Sequence, residues 1–353
     1  MRKKIGNIFK LSILGFLILF LSGCTIGRPE NGFYKSIDSG QTFVNSSGDE
    51  EDAINLLGKN VLSMEVDKDK PGQVLVGTSS AGIYLTRDRG ESWLKDKNPF
   101  GNITDIESIS TENLIYISAV KEGRGKILKT EDEGENWEEI YTEKKDGPYV
   151  SALSVDPRNS DVVYIANTEG GVFKTTDGGN SWKNLKWLQR GYARKIEFDR
   201  VNPDIIYFAT KSEGLFKTEN QGEDFEKIID RGDIYNVVAD PNSEGTVYAS
   251  TKKGLEKSVD KGEEWETLNT LTRPEELNSY GLAINPNNSA EIYYASGKAF
   301  YKTTNGGESW TPIQFNINVS IDVIKVDPND TSVIYLGTRK RGGSLQVLPP
   351  MIN

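Results

Sequence analysis

The chain has 353 residues, with 42 lysines and arginines against 52 aspartates and glutamates, no histidine and a single cysteine. The net charge of −10 argues against a nucleic-acid binder, because binding to phosphates needs a basic footprint. The missing histidines exclude Ser-His-Asp and Cys-His nucleophilic sites and the usual zinc sites, and we predict no metal and no cofactor. With one cysteine, stability must come from packing rather than from an internal disulfide.

Residues 1–23 have the composition of a bacterial export signal. Basic residues precede an apolar run, Leu11 to Leu21, that is shorter than the roughly 20 residues of a membrane-spanning helix. The run ends in Leu21-Ser22-Gly23-Cys24, which resembles the lipobox of bacterial lipoproteins. We therefore predict cleavage before Cys24, acylation of its thiol, a lipidated tether over 24–31, and a protein anchored to the bacterial cell membrane on the extracytoplasmic side.

Beyond the tether, one eight-residue phrase recurs, with a hydroxyl first, an acid or amide third, glycine fifth and an aromatic eighth. Its seven copies begin 40 to 50 residues apart, at Ser36, Thr86, Thr130, Thr175, Thr218, Ser258 and Thr303. A period of this size is typical of propellers and solenoids.

The stretch ending in the Thr175 copy shows the whole repeat. Four short apolar or alternating runs, separated by glycine, proline and asparagine, predict four strands rather than a pair of helices. Four-stranded sheets at this period are the blades of a β-propeller, and a closed ring protects the sheet edges. We predict an all-β, seven-bladed β-propeller over 32–348 as a single domain, followed by a tail at 349–353.

The first and last repeats are incomplete and complement each other. Residues 31–44 contain a third strand, a turn and a fourth strand, whereas 321–326 and 333–337 supply only a first and a second strand. We therefore predict that the N-terminal hairpin completes the last blade and closes the ring. Residues 343–348 (GSLQVL) compete with 32–37 for the third strand of that blade, and the sequence leaves this choice open.

The repeated turn has the chemistry of a structural corner. Its third residue can accept hydrogen bonds from turn amides and flanking hydroxyls, while the glycine supplies a positive φ. Asparagine in two copies favours a structural role, because an amide cannot act as a base or nucleophile. The third residues are Asp38, Asp88, Asp132, Asp177, Asn220, Asp260 and Asn305. The aromatics expected to pack into the blades are Phe43, Trp93, Trp137, Trp182, Phe225, Trp265 and Trp310.

This phrase resembles the Asp-box, or bacterial neuraminidase repeat, of sialidases, xyloglucanases and sortilin-type receptors. The chain also resembles the single seven-bladed propellers known as photosystem II stability and assembly factors, through the segments 155–157 (VDP), 163–166 (VYIA) and 171–175 (GVFKT), its length and its lipobox. The second resemblance implies a non-enzymatic, chaperone-like scaffold with a basic patch that grips a membrane-protein subunit.

Glycoside hydrolysis is the enzyme class that stays open, because it needs only two carboxylates. Sialidases carry a Phe-Arg-Ile-Pro phrase ahead of their Asp-boxes, and this chain has none. Xyloglucanases of this repeat type use a cleft between two propellers, whereas we predict a single propeller here. We therefore expect a protein without enzymatic activity. The alternative is a glycan-binding or glycoside-hydrolase lipoprotein of the sialidase or xyloglucanase type.

The loops predict a disc with two differently charged faces. In a propeller, the loops from strand four to one and from two to three share one face, here called the loop face. The one-to-two loops and the Asp-box turns share the other, here called the turn face. The two-to-three loops net +6, whereas the one-to-two loops net −8 and the turns net −9. Such a field steers an anionic partner towards the loop face.

We predict that a protein or anionic partner at the membrane surface binds the loop face, that no nucleic acid binds, and that the protein is a monomer. The candidate partner-binding residues are Arg124, Trp187, Arg190, Arg194, Lys252, Lys253, Arg339, Lys340 and Arg341. Tryptophan and arginine are enriched in binding hot spots. Two alternatives stay open: the basic residues are simply solvated loop residues, and Trp187 is buried in a fourth strand.

Overall fold

The computed structural model describes residues 31–48, 54–271, 281–296, 299–313 and 319–340. Within these ranges the chain forms seven antiparallel four-stranded sheets and one short 3-10 helix, Ser110–Glu112. The predicted all-β, seven-bladed propeller is therefore confirmed. The predicted signal segment, Cys24, Arg341, the segment 343–348 and the tail lie outside these ranges. Among the described residues, no helix has the length and apolar character needed to cross a membrane.

Blade 7 combines the two ends of the chain, and blades 1 to 6 each take four consecutive strands. The strands of the first half of the chain are β1 (Phe33–Ser36), β2 (Val44–Asn45), β3 (Val61–Val66), β4 (Val74–Thr78), β5 (Ile83–Thr86), β6 (Leu94–Lys95), β7 (Ile103–Ile109), β8 (Leu114–Lys121), β9 (Arg124–Thr130), β10 (Glu138–Thr142), β11 (Val150–Val155), β12 (Val163–Asn167), β13 (Gly171–Thr175) and β14 (Lys183–Trp187). Those of the second half are β15 (Ala193–Phe198), β16 (Ile206–Thr210), β17 (Leu215–Thr218), β18 (Glu226–Ile229), β19 (Ile234–Ala239), β20 (Val247–Thr251), β21 (Gly254–Ser258), β22 (Glu266–Thr267), β23 (Leu282–Asn285), β24 (Asn288–Ser296), β25 (Ala299–Thr303), β26 (Thr311–Ile313), β27 (Ser320–Val326) and β28 (Ile334–Arg339).

The first strand of each blade is innermost. These strands, β3, β7, β11, β15, β19, β23 and β27, contact one another from blade to blade around a central channel. The fourth strands lie at the outer rim, where they are short and largely exposed.

The ring closes as the incomplete repeats predicted. Strand β1 pairs antiparallel with β28, with Phe33 opposite Gly337 and Ser36 opposite Ile334. Beyond the strand, the Gly32 N–H donates to Thr338 Oγ1 at 2.9 Å. The third strand of blade 7 is therefore Phe33–Ser36, which settles the choice that the sequence left open.

Each Asp-box turn packs against the blade before it. The Trp182 indole N–H donates to the carbonyl of Ile140 in the outer strand of blade 2 at 3.0 Å. Gly179 has φ +100°, and a Cβ at that position would lie 2.6 Å from the Ile140 Cβ. The aromatic was expected to pack into its blade, and the structure shows that in blade 3 it also bridges the seam to the preceding one.

A tyrosine of the second strand faces a lysine of the third in six blades, a pattern that the sequence analysis did not single out. The pairs are Tyr116 and Lys129, Tyr164 and Lys174, Tyr207 and Lys217, Tyr248 and Lys257, Tyr293 and Lys302, and Tyr335 and Lys35. Lys174 Nζ lies 5.1 Å from the centre of the Tyr164 ring and donates to the Gln221 carbonyl of the next turn. In blade 1 the pair is Leu75 and Leu85.

Candidate functional site: the loop face and the channel

Contacts between loops assign them to the two faces. On the loop face, the Lys211 N–H in a two-to-three loop donates to the Tyr192 carbonyl in a four-to-one loop at 2.8 Å. On the turn face, the Gly178 N–H of an Asp-box turn donates to the Asp161 carbonyl of a one-to-two loop at 3.0 Å. The loops therefore lie on the faces that the propeller geometry predicted.

The Asp-box acids are engaged within their own turns. Asp177 accepts the Thr175 hydroxyl at 2.7 Å, the Ser181 N–H at 2.9 Å and the Ser181 hydroxyl at 2.6 Å. These bonds, led by the one from the Ser181 hydroxyl, lower the pKa of Asp177 to about 2. At neutral pH Asp177 is therefore an ionised acceptor that holds the corner of the hairpin.

The two copies with asparagine have the same geometry. Asn220 Oδ1 accepts the Thr218 hydroxyl and the Asp224 N–H, both at 2.9 Å. Asn305 Oδ1 accepts the Ser309 N–H at 3.0 Å. The turn thus needs an oxygen acceptor at this position and does not need a titratable group.

Three of the candidate arginines on the loop face are held by neighbouring groups. Arg339 forms an ion pair with Asp322, and Arg194 lies 3.5 Å from Asp233. Arg124 donates to a backbone carbonyl at 3.4 Å. Arg339 is one of the cations counted in the two-to-three loops, but Asp322 compensates its charge.

The other described candidates are exposed. Lys252, Lys253, Lys340 and Arg190 all face solvent, and within the described part of the chain neither Lys252 nor Lys253 forms an ion pair. Trp187 ends the outer strand of blade 3 and is 55% exposed. The alternative placed Trp187 in a fourth strand and buried. The position in the strand is correct, but the ring is exposed and accessible to a partner.

These cations are distributed around the ring. The Arg190 N–H donates to the Glu213 carboxylate in the two-to-three loop of blade 4, and Arg194 lies 3.5 Å from Asp233. The Ser212 N–H of the same two-to-three loop donates to Asp233 at 2.9 Å, so both arginines lie beside this loop. Lys252 and its neighbour follow on blade 5, whereas the remaining candidates belong to blades 2 and 7. The loop face therefore presents several separated cations rather than one compact patch.

A second set of charged residues lines the channel, and the sequence analysis missed it because only loops were summed. Matching positions of four inner strands carry a charge, at Glu65, Glu107, Glu197 and Lys325. Lys325 lies 3.0 Å from Glu65 across the seam between blades 7 and 1, and Lys195 lies 3.4 Å from Glu197. Asp105 accepts the N–H of Leu153 in the next blade at 3.0 Å. The recurrence of charge at one strand position was the available signal.

Burial shifts the protonation of this set. Burial, together with the nearby Glu65, raises the pKa of Glu107 to about 8, and burial also raises the pKa of Asp105. Burial alone would lower the pKa of Lys195, but the carboxylates of Glu197 and Asp105 raise it. The raised pKa of Glu107 favours its protonated form near neutral pH, and a protonated carboxyl can donate a proton.

Two surface cavities lie at outer seams beside Asp-box turns. The cavity between blades 3 and 4 has a volume of about 570 Å³ and is lined by polar groups that include Lys174, Asp204 and Glu219. The cavity between blades 1 and 2 measures about 210 Å³ and is more apolar, because Leu75 and Leu85 replace the tyrosine and lysine. Neither cavity is on the loop face. Among the described residues, no three acids or cysteines are arranged to hold a metal ion.

Comparison with known proteins gives relatives of several kinds. A family model described as sortilin, neurotensin receptor 3, matches residues 125–257. A probable oligoxyloglucan-reducing end-specific xyloglucanase from Neosartorya fischeri is 24% identical over 165 residues, which are 46% of this chain and 15% of that protein. The chain thus spans a small part of the curated relative.

Solved structures show a similar fold at low identity. The GH74 xyloglucanase from Xanthomonas campestris has a TM-score of 0.68 at 14% identity, covering 79% of this chain and 51% of the enzyme. YCF48 from Cyanidioschyzon merolae has a TM-score of 0.60 at 12% identity, covering 79% of this chain and 95% of YCF48. A structure of YCF48 bound to D1 peptide has a TM-score of 0.60 at 16% identity, covering 81% and 94% of the two chains. The chain is therefore a seven-bladed propeller of BNR-type repeats that resembles sortilin-type, xyloglucanase and YCF48 propellers, as its turns predicted.

Proposed function

We propose that this protein is a lipid-anchored, extracytoplasmic, non-catalytic scaffold that binds a protein partner at the membrane surface through its loop face. The observation that carries the proposal is the distribution of exposed charge. Lys252, Lys253 and Arg190 are exposed on the loop face, whereas the turn face presents exposed acids such as Glu223, Glu264 and Glu308. Such polarity orients an anionic partner during the encounter.

Two further features support a binding role. Trp187 gives the basic rim a large exposed ring, which is the kind of side chain that dominates protein interfaces. YCF48, which covers about the same length of chain in the comparison, has been solved with a D1 peptide. A propeller of this size therefore suits peptide or protein binding.

The test is capture of partners from detergent-solubilised membranes by matched lysine variants. Lys252→Glu combined with Lys253→Glu reverses charge on the loop face, and Lys68→Glu does the same for an exposed lysine on the turn face. We expect the loop-face variant to lose its partner and Lys68→Glu to retain it, with the difference shrinking as salt is raised. Equal capture by both variants at every salt concentration would refute the proposal. Arg339 is unsuitable for this test because its replacement would also remove the ion pair with Asp322.

Glycoside hydrolysis is the second candidate, and Glu107 is the observation that favours it. A carboxyl with a raised pKa near a second carboxyl is the arrangement that glycosidases use for acid catalysis. Against this role, Glu65, Glu197 and Asp105 are already engaged by Lys325, Lys195 and the Leu153 N–H. A hydrolysis screen on xyloglucan oligosaccharides and sialosides with wild type and Glu107→Gln tests it, and turnover abolished by the substitution would favour the enzyme over the scaffold.

A further inference from the structure

The described chain begins at a fixed point on the loop face. The Asn31 side-chain amide donates to the Gly58 carbonyl at 3.0 Å and to Asn60 Oδ1 at 2.7 Å, and the Gly58 N–H returns a bond to the Asn31 carbonyl at 2.8 Å. Gly58 and Asn60 belong to the four-to-one loop that leads into blade 1. Asn31 is also buried, so this end of the propeller is held firmly against the loop.

The other described end of the chain meets the same spot. The Lys340 N–H donates to Asn60 Oδ1 at 2.9 Å, directly after the last strand of the ring. Asn31, Asn60 and Lys340 together form what we call the exit patch, at the seam between blades 7 and 1. A tether that precedes Asn31 must therefore leave the disc from the loop face.

The length of that tether restricts the orientation of the disc. Cys24 and Asn31 are separated by seven peptide units, which span at most about 25 Å when fully extended. Strands of four to six residues such as β5 and β3 make the disc about 15 to 20 Å thick before its turns are added. With a lipid at Cys24, the tether is long enough to place the loop face against the bilayer. To place the turn face there, the tether would have to pass around the rim of the disc.

The charges favour the same orientation. Exposed cations occur at separate points of the loop face, at Lys145, Arg190, Lys252, Lys253 and Lys340. A planar anionic surface can engage such separated cations together, and each cation adds to the attraction near the headgroups. Exposed acids on the turn face, such as Glu223, Glu264 and Glu308, would be repelled by it.

We propose that the anchored propeller lies with its loop face against the membrane, where these separated cations contact anionic phospholipid headgroups, and with its turn face directed away. This proposal rests on the lipid anchor of the proposed function. The partner would then be met in the plane of the membrane, because the loop face is the side nearest the bilayer.

Lysine acetylation read by mass spectrometry measures the orientation. The full chain is expressed in a bacterial host, purified with its own lipid, and reconstituted on phosphatidylcholine vesicles with or without phosphatidylglycerol. We expect Lys145, Lys252 and Lys253 to lose labelling by about threefold or more on the anionic vesicles relative to detergent, while Lys68 on the turn face is unchanged. Equal or greater protection of Lys68, or unprotected loop-face lysines, would overturn the proposal.

Two controls separate the contribution of the lipid anchor from that of the contact between cations and headgroups. The intact mass reports whether Cys24 carries lipid. If it does not, the anchor of the proposed function fails, and the orientation is still measured after coupling the only thiol of the chain to a maleimide lipid. Inserting about 20 Gly and Ser residues after residue 30 lengthens the tether, so that its length no longer restricts the orientation of the disc. Protection of the loop-face lysines should then persist on anionic vesicles and disappear on neutral ones. If protection of the loop-face lysines from acetylation depended on neither lipid charge nor tether length, the proposed mechanism would be contradicted.

Discussion

Replacing the turn glycine Gly179 by alanine tests whether the Asp-box corner is required by backbone conformation or by packing between blades. Gly179 has φ +100°, and an added Cβ would lie 2.6 Å from Ile140 Cβ and 2.7 Å from Ile140 Cδ1. The Ile140 Cβ is fixed to the backbone of the preceding blade and cannot rotate away. Positive φ costs about 1 to 2 kcal/mol and overpacking adds about 1 to 3 kcal/mol, so we expect Gly179→Ala to lower the free energy of unfolding by about 3 kcal/mol.

Gly306→Ala is the matched control, because it removes a glycine from the fourth position of the same turn phrase. Gly306 has φ +70°, and nothing lies within 4 Å of an added Cβ. Five other copies hold a residue with a side chain at positive φ in this position, namely Ser39, Arg89, Glu133, Gln221 and Lys261. Strain is partly offset by the lower entropy of the unfolded chain, so the expected loss is below about 1 kcal/mol.

Urea unfolding followed by tryptophan fluorescence measures both variants, and Trp182 lies in the same turn as Gly179. A loss at Gly179 that exceeds the loss at Gly306 by about 2 kcal/mol is the expected result. Equal losses of unfolding free energy in the two variants would show that the positive φ alone accounts for the requirement for glycine. The argument from packing between the blades would then be wrong.

Three other experiments test separate parts of the structure. Because the pKa of Glu107 is raised from 4.5 to about 8, its proton is bound more tightly in the folded state, so folding stability falls as the pH rises between these values. We expect Glu107→Gln to be more stable than wild type by about 1 to 3 kcal/mol at pH 9, and this difference should disappear near pH 4. Urea titrations over this pH range measure the difference, and a difference that does not change with pH would contradict the prediction. Trp182→Ala should cost about 3 kcal/mol and Trp187→Ala less than about 1, because only the first bridges two blades, and equal melting shifts would contradict that assignment. Leu85→Lys should cost about 2 kcal/mol by placing an ammonium in an apolar seam, and adding Leu75→Tyr should recover about 0.5 to 1 kcal/mol. A double-mutant cycle without coupling would show that the tyrosine and lysine pairs are independent.

Much of the fold could be predicted from the sequence because the repeat is local. A hydroxyl, an acid or amide, a glycine and an aromatic at fixed spacing make a hairpin corner from neighbouring residues alone, as the bonds within the Asp177 turn show. Seven such corners separated by strand-length runs fix the number of blades. The incomplete first and last repeats were also sufficient to predict the ring closure by β1 and β28.

The candidate site depended on contacts between residues far apart in the chain. The sequence gives Arg339 and Lys252 the same formal charge, yet Asp322 compensates the first and leaves the second as the exposed cation. Likewise, Glu107 and Glu65 are 42 positions apart, and only the ring brings them to one channel where burial raises the pKa of Glu107.

The sequence by itself determined the repeating unit, the seven blades, the closing hairpin and the face on which each loop lies, since each of these follows from local spacing or from the order of strands in a blade. Only the tertiary structure decided which charges are compensated, which carboxyl has a raised pKa, and where the described chain begins on the disc. Those properties are set by distances between side chains of different blades, and such distances exist only after the ring has closed.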